Sequence, residues 1–373
     1  MMNEDLKYIL ALMSIKGIGS IRARHLIDAF GSAKAVFEAD GSLLTNIPNV
    51  RQSLLEGRND AALMMRIEKE LQFIEAHHIK THIYGQADYP TRLTECPDAP
   101  TLLFQLGETD LNKAKMVSIV GTRNSTQYGR DLVHRFVTEL KTMVPDVIIV
   151  SGLALGIDVE SHKAALENAA PTVGVVAHGL DRIYPIQHRT IARQMVHEGG
   201  SIVTEYLSGT TPERGNFLAR NRIIAGLADA VIVAESKDKG GSLVTASIAL
   251  DYVRDVFAFP GRVGDERSKG CNRLIRLNRA GLITCAEDFV EAMGWNAADE
   301  GGKSFQQSIP FEEENLSPNE RLVIDALRER GDLHITQLAD ATNLERSILL
   351  ETLLDLEMAE RIRNTPGGLY QLK

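Results

Sequence analysis

Cysteine is scarce in this chain: three residues in 373, Cys96, Cys271 and Cys285, lie far apart and form no CxxC pair. That excludes a disulfide framework and the common zinc ribbons, and it fits a reducing compartment, so a cytoplasmic location is expected. Long apolar runs are missing as well. The best of them, residues 223–234, is interrupted by Asp229 and falls short of the roughly 18 residues that a membrane helix needs. No membrane partner is expected. The start of the chain, Met1-Met2-Asn3-Glu4-Asp5, is acidic and has no apolar signal core, which argues against secretion. There is no Walker lysine motif, HExxH or GxSxG, so P-loop, zinc-peptidase and α/β-hydrolase chemistry find no support. His77, His78 and His82 are close in sequence, but no carboxylate shares a helical face with them, and neither a metal nor a cofactor is expected.

What is present is the composition of a folded protein, 44% hydrophobic and 24% charged, long enough for two or three domains. A formal net charge of −9 argues at first against a nucleic-acid partner. The charge is uneven, however. Residues 1–112 carry 11 basic and 15 acidic side chains, and residues 310–373 carry 7 and 13. Residues 113–290 carry 22 basic against 19 acidic, and their arginines gather around a few glycine-rich turns. A local patch, not the total, decides whether phosphate is attracted.

The first stretch, 1–80, reads as a helical domain. Within it Ile15-Lys16-Gly17-Ile18-Gly19-Ser20-Ile21-Arg22 has the apolar-x-Gly-apolar-Gly turn of a helix-hairpin-helix. Two readings fit: backbone N–H groups at the second helix facing a phosphate, or glycines that let two helices pack closely. A degenerate second copy is placed at 46–50. From 81 to 293 the pattern changes to short β-branched runs at 117–120, 147–150, 172–176, 201–204, 230–233 and 256–259, with amphipathic helices at 129–143, 158–168 and 242–254 between them. This describes a doubly wound α/β sheet whose central strands are buried on both faces. Residues 294–317 read as a polar, partly acidic linker. Three helices at 318–328, 336–341 and 344–358, then a terminal hairpin, give a winged helix over 318–373. Its acidity favours a protein partner over DNA.

In open α/β sheets ligands sit beyond the carboxyl ends of the strands. The first strand runs into Gly121-Thr122-Arg123-Asn124-Ser125-Thr126, which lacks GxGxxG and so disfavours a dinucleotide. It supplies instead a fixed cation and hydroxyls beside a helix start, which suits phosphate. The second ends in Ser151-Gly152-Leu153-Ala154-Leu155-Gly156, and the fifth leads to Gly240-Gly241-Ser242-Leu243-Val244-Thr245. Three amide-rich turns converging on one sheet make an anion site.

The segment Pro212-Glu213-Arg214-Gly215-Asn216-Phe217-Leu218-Ala219-Arg220-Asn221-Arg222, with 151–158 and Val256-Phe257-Ala258-Phe259-Pro260-Gly261, resembles the DNA-processing protein A (DprA/Smf) family over roughly residues 80–290. The resemblance implies an extended Rossmann-like domain that binds single-stranded DNA, flanked by a helix-hairpin-helix/SAM-like N-terminal domain and a C-terminal winged helix. It further implies a homodimer that protects incoming DNA and loads the recombinase RecA onto it during natural transformation, with single-strand-binding protein as a further partner. Arg123 matches the family's backbone-contacting arginine, Phe217 an aromatic beside which a base can stack, and Arg220-Asn221-Arg222 the RNR core. Arg214 stands where many members have lysine, and Leu218 departs from a frequent proline. Residues 271–275 resemble the part of the family fold used for self-association. Independently of the family, arginines track phosphates while a ring gives a sequence-tolerant stacking surface. The alternative for Asn221 and Arg222 is structural, as helix caps or partners of Asp229. A LOG-type phosphoribohydrolase uses a similar sheet, but the Gly-Gly turn here lacks its glutamate, and Asp158, His162, His178 and Glu205 show no acid–base partner. A binding protein without catalytic residues is therefore expected.

Overall fold

The computed structural model describes residues 4–40, 51–113, 115–295, 316–359, 361–365 and 369–372. Two compact units divide the chain, one within Met1–Asp299 and one within Glu300–Lys373. The second hairpin copy and most of the linker fall at 41–50 and 296–315, outside the described residues.

The first unit opens with helices α1 (Glu4–Ser14), α2 (Ser20–Phe30), α3 (Ala33–Glu38), α4 (Arg51–Arg58) and α5 (Ala61–Ala76). Strand β1 (Lys80–Ile83), the short α6 (Thr91–Thr94) and β2 (Leu102–Gly107) follow. Leu10, Leu26, Leu54 and Ile67 of the helices share one buried cluster with Ile83, Leu102 and Phe104, so this segment packs directly on the sheet. Between α1 and α2, Gly17 takes φ +87°, a left-handed turn that suits glycine.

Then comes the alternating βα pattern: β3 (Met116–Gly121), α7 (Gln127–Met143), β4 (Ile148–Ser151), α8 (Ile157–Glu167), β5 (Thr172–Val175), α9 (Arg189–His197) and β6 (Ser201–Thr204). The second half carries α10 (Arg214–Leu227), β7 (Ala230–Glu235), α11 (Gly241–Asp251), β8 (Asp255–Ala258), α12 (Lys269–Arg276), β9 (Gly281–Leu282) and α13 (Ala286–Ala292). The nine strands order as β1-β2-β6-β5-β4-β3-β7-β8-β9. From β6 to β9 every pairing is parallel, whereas β2 joins β6, and β1 joins β2, antiparallel.

Period-2 alternation sends successive side chains to opposite faces of the sheet, and both faces are covered by helices, so the strand interiors are mainly apolar. Met116, Val120, Ile148, Val150, Val231 and Val233 pack into the cluster that includes α10 and α11. Their neighbours Val117, Ile119, Ile149 and Ile232 point the other way, onto α7 and α13. Each such side chain contributes about 1.5–3 kcal/mol when fully buried. The chain winds outward from β3 through β4, β5 and β6, then returns to lay β7 on the other side of β3. The order reverses at β3/β7, and a crevice must open beyond their carboxyl ends.

The second unit holds α14 (Pro318–Arg330), β10 (Leu333–His334), α15 (Ile335–Thr342), α16 (Arg346–Met358), β11 (Ile362–Thr365) and β12 (Leu369–Leu372). Ser317 and Glu320 form a capping box ahead of α14, with Pro318 at its first position. Val323, Leu327, Leu338, Leu349, Leu353 and Leu356 make the core, and β10-β12-β11 form an antiparallel sheet. This is the winged helix expected from the sequence. Beyond Arg346 at its start, α16 carries no cation; its exposed side chains include Leu350, Leu354, Glu351, Asp355 and Glu357.

Candidate nucleic-acid interface

At the β3/β7 switch lies a crevice of about 280 Å³. Its walls come from the ends of three strands, closed on one side by α10. From the β3 end come Gly121, Thr122 and Arg123, and from the β4 end Ala154 and Asp158. Glycines set the close approach of these loops. Gly156 takes φ +81°, and a Cβ there would lie 2.2 Å from the Thr122 carbonyl. The start of α8 therefore sits hard against the β3 loop, where the Ile157 amide donates to Thr122 O at 3.2 Å. A Cβ on Gly152 would lie 2.3 Å from Arg220 Nη1.

Helix α10 presents Phe217, Arg220, Asn221 and Ile224 to the crevice, at the i, i+3, i+4, i+7 spacing of a single helical face. Arg220 is buried, and its Nη1 donates to the carbonyl oxygens of Gly152 (2.7 Å) and Val175. Burial brings its guanidinium down to about 10, opposed by nearby Asp158, so it stays charged at neutral pH. Asp158 is itself buried and held above the usual carboxylate range by desolvation, against Arg220 and backbone hydrogen bonds from Ala154 and Gly152. Arg123 is exposed, with no ion pair among the described residues. The Phe217 ring lies beside both cations: the Arg123 guanidinium carbon is 5.0 Å from its centroid and that of Arg220 5.7 Å. Tyr184, 49% exposed, meets the same ring edge-on at 5.9 Å. Asn221 has no side-chain hydrogen bond among the described residues.

The end of β7 supplies the third wall, with Ser236, Lys237, Lys239, Gly240, Gly241, Ser242 and Thr245. Gly240 is the N-cap of α11 in extended geometry, so the orphan amides of that helix's first turn border the crevice. Ser242 Oγ donates to Ser236 Oγ at 2.9 Å, and Thr245 Oγ1 to Gly241 O at 3.3 Å. Lys237 and Lys239 are exposed cations that the sequence reading passed over. The available signal was their place at the carboxyl end of a central strand. The crevice lining thus carries Arg123, Arg220, Lys237 and Lys239 against one carboxylate, Asp158.

Other candidates stand elsewhere. Thr126 caps α7, accepting from the Gly129 amide, and donates from Oγ1 to Glu235 at 2.7 Å. Arg214 is exposed at the first turn of α10. Arg222 points away from the crevice and pairs with buried Glu205, with Asp98 Oδ2 3.9 Å from its Nε. Asp229, suggested as its partner, instead binds Arg92 at 2.6 Å and the Met116 amide at 2.8 Å. The helix-hairpin turn packs beside this cluster: Ser20 Oγ donates to Glu205 at 3.4 Å, and Arg22 to Gly17 O at 2.7 Å. A carboxylate thus faces the start of α2, which disfavours a phosphate there. A Cβ on Gly17 or Gly19 would meet nothing within 4 Å, so close packing does not account for these glycines either, and Gly17 is explained by its positive φ.

The acid–base candidates are tied into the fold. His162 is fully buried, hydrogen-bonded through Nδ1 to Thr172 Oγ1 at 2.7 Å, and desolvation holds it down to about 3. His178 bonds Gly179 O at 2.9 Å and accepts the Tyr184 amide at 3.1 Å; burial depresses it too. Among the described residues no three His, Cys, Asp or Glu side chains gather as a metal site, and no helix is long and apolar enough to cross a membrane.

Comparison with known proteins gives two family matches: DNA recombination-mediator protein A over residues 80–294, and the DprA winged helix domain over 309–368. Protein Smf of Synechocystis is 31% identical over 408 residues, covering 100% of both chains. The crystal structure of DNA processing protein A from Streptococcus pneumoniae superposes with a TM-score of 0.65 at 33% identity, covering 77% of this chain and 97% of that one. The protein from Helicobacter pylori, whose structure describes a single-stranded DNA binding mode, gives 0.52 at 30% identity, covering 58% and 96%.

Proposed function

The chain belongs to the DNA recombination-mediator protein A (DprA/Smf) family, and on that premise we propose that it binds single-stranded DNA in the β3/β7 crevice, protects it, and loads RecA onto it during natural transformation. The observation that carries this reading is the Phe217 ring beside the guanidiniums of both Arg123 and Arg220. A ring can stack on any base, and flanking cations with helix-start amides can hold the phosphates on either side. Arg123, Lys237 and Lys239 contact phosphate directly. Arg220 sets the potential from inside, while Gly121, Thr122, Ala154, Gly240, Gly241, Ser242 and Thr245 let the backbone come close. Thr126, Gly152 and Gly156 act by shaping the loops, and Arg214 meets the strand as it leaves along α10.

Such a grip leaves base edges free for later pairing, which is what handing a strand to a recombinase requires. A cytoplasmic homodimer, self-associating near residues 271–275, would hold two strand segments at raised effective concentration. RecA, and DNA coated with single-strand-binding protein, are its working partners. The burial of His162, His178 and Glu205 in fold contacts supports binding without catalysis, so nucleoside monophosphates should release no base.

The test is a gel shift with single- and double-stranded DNA across a salt series, with mass followed by light scattering. Preferential, sequence-tolerant, salt-sensitive binding to the single strand is expected. Equal affinity for a blunt duplex, or binding indifferent to salt, would overturn the reading.

A further inference from the structure

A second concavity, of about 660 Å³, lies between the end of α5, strands β2 and β6, helix α9 and the loop at 180–186, whose Tyr184 meets the crevice's Phe217. It shares no lining residue with the crevice. Its floor is aliphatic: Leu106, Leu180, Ile183, Val196 and Ile202. Its rim is basic. Helix α9 turns Arg189, Ala192, Arg193 and Val196 toward it, again at i, i+3, i+4, i+7, so two arginines stand one turn apart above an apolar stripe. Both are exposed, and neither has an ion pair among the described residues. Arg182, on the loop, is paired with Asp181, whose other oxygen accepts the Gly209 amide at 2.8 Å; the one acidic group of the lining is thereby occupied. Ile186 stands beside these cations with 66% of its surface exposed.

We propose that this groove is a docking site for a short acidic peptide segment carrying bulky apolar side chains, supplied by a partner protein. Unpaired arginines above an aliphatic floor are complementary in charge to such a segment, and its apolar residues would cover Ile186 and Val196. A nucleic-acid strand fits less well, because strand-binding grooves use aromatic platforms. Phe73 is the sole Phe, Tyr or Trp in the groove lining, and it already packs on the His77 ring at 4.3 Å. The site would let the protein hold a partner and occupy the crevice at the same time, and it does not depend on what the crevice binds.

The experiment uses the full chain and a fluorescein-labelled nonapeptide alternating Asp and Glu with Ile, Leu and Phe, followed by anisotropy. A second peptide keeps the acids and replaces the apolar residues with serine. The first should bind at least about tenfold more tightly than the second, roughly a 1.4 kcal/mol difference. Arg189→Glu combined with Arg193→Glu should weaken it by a further factor of about ten or more, and Ile186→Ser alone by about fivefold. All variants should keep the melting temperature and the affinity for an oligo(dT) probe. No binding of the apolar peptide, binding indifferent to these substitutions, or equal binding of both peptides would overturn the proposal. Loss of oligo(dT) affinity in the arginine variant would assign the groove to nucleic acid instead.

Discussion

Phe217 and Arg123 sit in contact yet have separable roles, because stacking releases no counterion and phosphate neutralisation does. Arg123→Ala should lower affinity and flatten the salt dependence by about 0.7 in the log–log slope for the phosphate it neutralises. Phe217→Ala should cost about 1–3 kcal/mol of binding with the slope intact. A salt titration of the two variants side by side checks this; equal changes in slope would refute the division. Arg222 should behave differently from both. Its partner Glu205 is only 8% exposed, and Arg222→Ala would leave that carboxylate buried without a cation, held only by the long Ser20 hydrogen bond, costing about 3–5 kcal/mol of stability. The expected signature is a lower urea midpoint for unfolding, with the salt slope unchanged. His162 gives a pH test. Its folded state is held near 3, below the ordinary 6.5, so it favours the fold above about 6.5 and that contribution is lost as pH falls toward 3. Urea melts of His162→Gln at pH 7 and pH 5 should show a smaller loss than the parent chain, by up to about 1.4 kcal/mol per pH unit.

The reason Arg222 was grouped with Arg220 lies at the scale of the element. Read as a string, Arg220-Asn221-Arg222 is one motif; wound into α10 at about 100° per residue, Arg222 lies about 200° from Arg220 and falls on the opposite face. The helical spacing already present in the sequence, 217, 220, 221, 224, picks out the face that lines the crevice and leaves Arg222 out. The β-runs and helices between 117 and 259 were legible because buried parallel strands need unbroken β-branched residues, and those runs mark β3 to β8 within a residue or so. Lys237 and Lys239 were not, since nothing local distinguishes a lysine at a strand end from one on any solvated loop. The glycines of 151–156 were legible as turn residues, but their purpose is steric. Gly156→Ala would place a methyl group 2.2 Å from the Thr122 carbonyl in a left-handed backbone, so the β3 loop must shift. It should both lower the melting temperature and weaken oligo(dT) binding, whereas Gly241→Ala, with open space at its Cβ, should leave the melt unchanged.

Across the whole molecule the charges are segregated, and this explains how a chain of net −9 can hold an anionic strand. The field that matters at the crevice is set within about a Debye length, roughly 8–10 Å at physiological salt. There Arg123, Arg220, Lys237 and Lys239 outnumber one buried carboxylate. The winged helix carries the opposite balance of charge. Residues 310–373 carry 13 acidic and 7 basic side chains, and the helix that would enter a DNA groove, α16, exposes Leu350 and Leu354 among Glu351, Asp355 and Glu357. A surface of that kind repels a phosphate backbone and presents an apolar stripe to a protein. Deleting residues from 310 onward should therefore leave the affinity for single-stranded DNA unchanged or slightly raised at low salt, with the difference vanishing as salt screens the acidic charge. The two units have separate hydrophobic cores, so the truncated chain should keep the melting transition of the first unit. A large loss of affinity in the truncated chain, with that transition intact, would show that the winged helix touches DNA and that its net charge is no guide to its partner.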